Sequence, residues 1–209
     1  MGDRAANVTG VRGSVRRLEG SPGIEGVLEE LWSPIAALTA AHDGRANGLI
    51  ASTAVTASLL PETPRIAVVL SPASLTHELV LASRAFALHL LPAEPPERPL
   101  AIFRTLGFSS GRTGGKLATI PWRAGRTGAP ILGEALAYVE ARVATTLDAD
   151  DVTLVVADVV AGGRLRAGPH LTIEHVRARL SDAELAAWDA RREEELAEAR
   201  RRRAARGAE

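Results

Sequence analysis

Residues 47–64 read NGLIASTAVTASLLPETP, a run that fits neither an ordinary strand nor an ordinary helix. Its large apolar side chains are Leu49, Ile50, Val55, Leu59 and Leu60, whereas Ala51, Ser52, Thr53, Ala54, Thr56, Ala57 and Ser58 are all small. The preceding HDGRANG carries Asp43-Gly44 and Asn47-Gly48, dipeptides that favour a tight reversal. The run is therefore expected to return as a second strand beside SPIAALTAA (33–41) and to end at PETP.

Working outward, RIAVVLS (65–71) reads as a third strand, its continuous apolar and β-branched content suggesting burial on both faces. SPASLTHELVLASRA follows as a helix, with Ser71 as N-cap, Pro72 at the first helical position, and Leu75, Leu79 and Ala82 as its apolar face. FALHLL is a further strand, PAEPPERP breaks structure, LAIFRTLG is a short helix and FSSGRTGGK a glycine-rich loop. Two long strands, Ala135 to Leu147 and Val152 to Ala161, flank an acidic turn at Asp148 to Asp151. HLTIEHVRARL (170–180) is expected as a last strand. Ser181 and Glu184 then form the capping box of a charged C-terminal helix. Three segments result: a flexible start over 1–23 followed by a short helix at 24–31, a folded domain over 24–180, and the helix over 181–209. Many strands with hairpin signals and few helices argue for a mainly β fold, an antiparallel barrel with peripheral helices.

Composition excludes several classes of function. The formal net charge is zero, so no global field attracts nucleic acid or an anionic membrane. The arginine run 200–203 stands a turn or two from Glu193, Glu194, Glu195 and Glu198, which reads as a solvated, salt-bridged face. The absence of cysteine rules out a disulfide framework and a thiol nucleophile. No stretch approaches a membrane span, and the N-terminus lacks a signal-peptide core, so a cytoplasmic protein is expected. GRTGGK is not a P-loop, because Ser110 and Leu117 stand where that pattern needs glycine and a hydroxyl residue. His170 and His175 would fall on opposite faces of a strand and share no metal.

Two motifs remain. Small side chains over 51–58 let a backbone approach a flat ligand, or merely pack beneath a neighbouring element. In SPASLTHEL the hydroxyls of Ser71, Ser74 and Thr76 gather at a helix start, where unpaired amides favour an anion, or Ser71 simply caps the helix.

The order strand, Asn-Gly, small-residue strand ending in proline, buried strand, Ser-x-Thr at a helix start, FALHLL resembles the flavin reductase-like branch of the FMN-binding split-barrel family over about residues 32–163. The resemblance implies an FMN-binding split β-barrel with an added C-terminal helix. It implies flavin contacts from Asn47, Ile50, Ala51, Ser52 and Thr53, phosphate contacts from Ser71, Ser74 and Thr76, and a basic reach from Arg112, with Lys116 beside it in the same loop. It implies an FMN-dependent NAD(P)H oxidoreductase, active as a homodimer and able to serve a partner oxygenase. Two departures point to a second reading, a flavin binder with weak or no reductase activity. Ala54 stands where the family often has phenylalanine, and Asp150-Asp151-Val152 replaces its Gly-Asp-His. A barrel that binds haem or a deazaflavin is the third reading.

Overall fold

A computed structural model describes residues 35–206. The expected flexible start and the helix at 24–31 lie outside them. Among the described residues, nine strands form one seven-stranded antiparallel sheet and a two-stranded ribbon. In chain order they are β1 (Ala36–His42), β2 (Arg45–Ala51), β3 (Ala54–Thr56), β4 (Arg65–Leu70), β5 (Ala85–Leu90), β6 (Trp122–Ala124), β7 (Pro130–Leu132), β8 (Ala137–Asp148) and β9 (Thr153–Arg164). The large sheet runs β2-β1-β5-β8-β9-β4-β3, and β6 pairs with β7. The described residues add four helices: α1 (Leu75–Ser83), α2 (Glu97–Phe108), α3 (Ile173–Arg177) and α4 (Asp182–Arg206).

The first hairpin obeys its turn chemistry. Asp43 (φ 47°) and Gly44 (φ 74°) form its two-residue loop, both left-handed as a turn matching strand twist requires, and Ala36 pairs with Ala51 through to His42 with Arg45. Asn47-Gly48, the other candidate for the reversal, lies inside β2 instead.

The opening run is not one strand. It ends β2 at Ala51, crosses at Ser52 and Thr53, and resumes as β3 against β4. Because β2 and β3 terminate opposite ends of the sheet order, this crossing brings the two edges together and curls the sheet into a half-barrel. Small residues suit such a crossing, since a bulky side chain would hold the two edges apart. The Thr53 carbonyl accepts a 3.4 Å hydrogen bond from the Val69 amide, which extends the β3–β4 pairing by one residue.

Alternation along each strand feeds two cores. Leu38, Val68, Leu70, Phe86, Val155 and Ala157 fill the barrel interior together with Leu75, Leu79 and Val80 of α1. On the other face, Ala37, Leu91, Phe103, Leu106, Leu132, Leu171 and Val176 pack beneath the remaining helices. With aromatics at 3% of the chain, Phe86 and Phe103 are the largest wholly buried side chains, and aliphatic residues supply the rest.

Several local expectations need correction. HLTIEHVRARL is not a strand. Thr172 caps α3 by accepting from the His175 amide, His175 Nδ1 accepts in return from the Thr172 amide, and only an isolated Pro92–His170 bridge precedes them. His170 and His175 therefore do not share a strand. Ser74, not Ser71, is the N-cap of α1, and Ser71 instead organises the turn before it by accepting from the Ala73 amide. Ala82 is exposed; Thr76 and Val80 complete the buried stripe. In β4, Ile66 and Val69 are only half-buried, and Val69 lines a cleft, so the strand is not enclosed on both faces. The break expected at PAEPPERP ends early, for α2 begins at Glu97 and holds Pro99 in its first turn, where no amide is needed. The capping box at Ser181 is present: its amide and hydroxyl both donate to Glu184 Oε2 at 2.8 Å.

Candidate functional site

A cleft of about 370 Å³ opens beside the crossing, within the size range of small-ligand sites. One wall is β2 and the crossing, which present Asn47, Ile50, Ala51, Ser52 and Thr53. A second is the β4–α1 corner, with Ser71 and Ser74. The loop after α2 supplies Ser110, Gly111, Arg112 and Lys116, and Val152 closes the floor at the start of β9. The fold thus collects eight of the nine residues singled out in the sequence.

Thr76 is the exception. It is wholly buried, and its Oγ1 accepts from Asn47 Nδ2 at 3.0 Å. Its amide donates to Ser74 Oγ at 3.1 Å, which fixes the start of α1. Thr76 therefore positions Asn47 from behind the wall. Asn47 itself is 2% exposed, and its Oδ1 has no partner. An unsatisfied buried acceptor on a cleft wall suits a ligand bearing N–H or O–H groups. Gly111 lies so close that a Cβ there would approach the Asn47 amide to within 2.2 Å, so glycine lets the loop close over this residue.

At the opposite corner, Ser71 and Ser74 stand at the N-terminus of α1, a nine-residue helix. The amides and dipole of that terminus favour an anion. Arg112 reaches the same corner, donating to Ala73 O and pairing with Glu78. The site thus has a flat wall of small residues at one end and an anion-favouring corner at the other. That combination fits a planar heteroaromatic group joined to a phosphate, as in a flavin mononucleotide.

Residues 28–179 match the model for the flavin reductase like domain. The chain belongs to the flavin reductase-like family. A high molecular weight rubredoxin from Moorella thermoacetica is 32% identical to this flavin reductase-like chain over 136 residues, 65% of the chain and 57% of the rubredoxin. A ferric-chelate reductase (NAD(P)H) from Archaeoglobus fulgidus is 32% identical over 124 residues, 59% of the chain and 70% of the reductase. The chain spans little more than half the length of the rubredoxin. Among solved structures, an FMN-binding protein from Thermus thermophilus with bound 1-cyclohex-2-enone superposes with a TM-score of 0.61 at 27% identity, covering 73% of this chain and 80% of that one. The mainly antiparallel half-barrel expected from the sequence is the fold of this family.

Other flavin reductase-like residues entered the cleft without a sequence signal. Arg191 and Glu195 of α4 line it, although the mixed charge of that helix reads as solvated. Trp188 packs on Phe103 and Phe108 at ring-centroid distances of 5.3 and 6.3 Å, and Arg191 Nη1 donates to Phe108 O at 3.3 Å. The apolar Leu185 and Trp188, both packed on this core, were the hints that α4 docks. Lys116, placed by the resemblance beside Arg112 in the loop, is buried and donates to Leu106 O at 2.7 Å.

His89 and Glu140, both buried away from the cleft, are structural. His89 is enclosed, with Nδ1–H donating to Ala37 O at 3.0 Å and Nε2 accepting from the Leu132 amide at 3.2 Å. Burial lowers its pKa to about 4, keeping it neutral. Burial alone raises the pKa of Glu140, but the amides of Thr127 and Arg126, the Thr127 hydroxyl and Arg123 hold it below its ordinary value. Glu140 thereby ties down the turn between β6 and β7. Among the described residues no cluster of histidine and carboxylate groups is arranged to hold a metal, and no helix is long and apolar enough to cross a membrane.

Proposed function

We propose that this chain is an FMN-dependent NAD(P)H oxidoreductase of the flavin reductase type. The observation that carries the proposal is the single cleft joining the small-residue wall, with its unsatisfied Asn47 Oδ1, to the helix N-terminus at Ser71 and Ser74. FMN bound there supplies two-electron chemistry, accepting electrons from a nicotinamide donor and handing them on. The chain's own part is binding and orientation. Small residues at Ala51, Ser52 and Thr53 let the backbone meet the ring, Asn47 offers an acceptor, and Ser74 with the α1 amides holds the phosphate. No side chain of the cleft is arranged as a general base toward a neighbouring nucleophile.

Titration with FMN and riboflavin, followed by NAD(P)H oxidation, tests this reading. FMN should bind more tightly than riboflavin, with bound-flavin absorbance appearing during the titration. Equal affinity for the two would remove the phosphate from the α1 corner. A haem or deazaflavin spectrum in the purified protein would replace the flavin reading.

The second reading, a flavin binder that reduces its flavin slowly, is favoured by Val152. That side chain lines the cleft and offers no hydrogen bond where the family's Gly-Asp-His places a histidine. The NAD(P)H named for the ferric-chelate reductase supports that donor here, and such a donor supports a cytoplasmic location. We also propose a homodimer that passes electrons to a partner oxygenase or to free flavin. Exposed Val55, Leu59 and Leu60, just beyond the cleft wall, support a surface covered by a second copy.

A further inference from the structure

The sequence contains a single lysine, Lys116, and the fold places it where a lysine is costly. It begins a short 3-10 turn at Lys116–Thr119, is 7% exposed, and lines the cleft. Its ammonium has three N–H donors, of which one reaches Leu106 O in the last turn of α2. No carboxylate among the described residues forms an ion pair with it. The charges that face it come from α4. Arg191 repels it, and Glu195 attracts it but is already engaged by Arg191 Nε at 3.4 Å. This part of the cleft therefore carries two cations against one carboxylate.

A desolvated charge without a counter-ion is strongly unfavourable. The carbonyl ends of α2 offset part of the cost, since Leu106 O and Phe108 O accept from Lys116 and Arg191. A full negative charge is still missing, and the open side of Lys116 is the cleft. The 3-10 turn packs against β2, the strand bearing Asn47, Ile50 and Ala51. In the reading given under Proposed function, on which this inference rests, β2 is the ring wall, whereas the phosphate belongs at Ser71 and Ser74. An isoalloxazine ring is neutral when oxidised. Transfer of two electrons and one proton from NAD(P)H leaves it with one negative charge.

We propose that Lys116, backed by Arg191, is the electrostatic partner of the reduced, anionic flavin ring, so that the cleft holds reduced FMN more tightly than oxidised FMN. This corner then raises the potential of the bound cofactor, because a charge beside the ring stabilises one redox state alone. Burial, and next the Arg191 charge, lower the lysine pKa to about 8, with Glu195 opposing. The ammonium is still mostly present near neutral pH, and the preference for reduced FMN begins to fade above about pH 8.

The test uses the full chain and compares wild type with Lys116→Met and Lys116→Arg. Each is titrated with oxidised FMN, with FMN reduced by dithionite under anaerobic conditions, and with riboflavin. Lys116→Met should leave oxidised FMN nearly unchanged and weaken reduced FMN about tenfold, which lowers the two-electron potential by about 30 mV. Lys116→Arg should recover most of the difference. Equal weakening of both redox states would make Lys116 a packing residue and overturn the proposal. Loss confined to FMN, with riboflavin unaffected in either state, would put the lysine on the phosphate and overturn it too. Should the methionine variant fail to fold, the wild-type pH profile decides. A ratio of reduced to oxidised affinity that stays constant from pH 7 to 10 is incompatible with the proposal. Absence of any flavin binding by wild type removes the flavin reading itself, a distinct outcome.

Discussion

Asn47 and Thr76 share one buried hydrogen bond, and it separates two jobs that the sequence had merged. Replacing Thr76 by valine keeps the volume but strands the Asn47 amide, which should cost about 1–3 kcal/mol in urea unfolding and weaken FMN and riboflavin alike. Ser74→Ala acts differently. It removes the N-cap, costing about 1 kcal/mol, and should weaken FMN well beyond riboflavin because the cap also faces the phosphate corner. A Thr76→Val defect confined to FMN would return that hydroxyl to the phosphate. His89 governs the acid limb of stability. Its folded pKa of about 4 lies below the unfolded value of 6.5, so between these values the unfolded chain binds more protons. Stability should hold above pH 6.5 and fall by about 3 kcal/mol as pH drops toward 4. An unfolding free energy that stays flat over that interval would show that His89 is protonated in the fold.

Helix α4 is pinned at both ends by different forces. Its first half is anchored by Trp188 against Phe103 and Phe108 and by the Arg104–Glu184 ion pair at 2.5 Å. That arginine, first, and the Ser181 amide and hydroxyl lower the Glu184 pKa to about 2. Its last turns carry ion pairs to the β8–β9 turn: Arg203 to Asp151 at 3.0 Å, and Arg206 to Asp148 and to Asp150. Screening shortens the reach of exposed charges from about 10 Å at 0.1 M salt to about 3 Å at 1 M. High salt should therefore speed amide exchange in residues 198–206 and leave residues 184–192 protected, as read by hydrogen–deuterium exchange. Uniform loosening of the helix would mean that the aromatic contact does not anchor it. The arginine run does form helix-surface pairs, Arg201 and Arg202 to Glu198, as its spacing suggested. The same reasoning could not see α3, because Leu171, Ile173 and His175 alternate with polar residues as a strand would, and the Thr172–His175 capping box overrides that pattern.

For the molecule as a whole, the decisive question is whether the cleft transfers electrons or only holds a flavin. Val152→His should raise the rate of FMN reduction by NAD(P)H, by up to about a hundredfold if the missing group positions the donor, while leaving FMN affinity unchanged. Stopped-flow reduction measures this, and a fast wild type indifferent to the substitution would show that positioning comes from elsewhere. The sequence by itself determined the family, a mainly antiparallel β fold, a tight reversal within HDGRANG and the run of small residues beside the cleft. Turn dipeptides, alternation and a stretch of small side chains are local properties that act within a few residues of where they are read. Tertiary structure alone decided that the run 47–64 crosses between the two edges of the sheet, that Thr76 faces Asn47, that Lys116 is buried, and that α4 brings Arg191 to the cleft. Each of these depends on which distant surface a side chain meets. Neither charge pattern nor spacing encodes that, because the cost of burying Lys116 and the docking of Trp188 exist only once α2, α4 and the sheet are packed together.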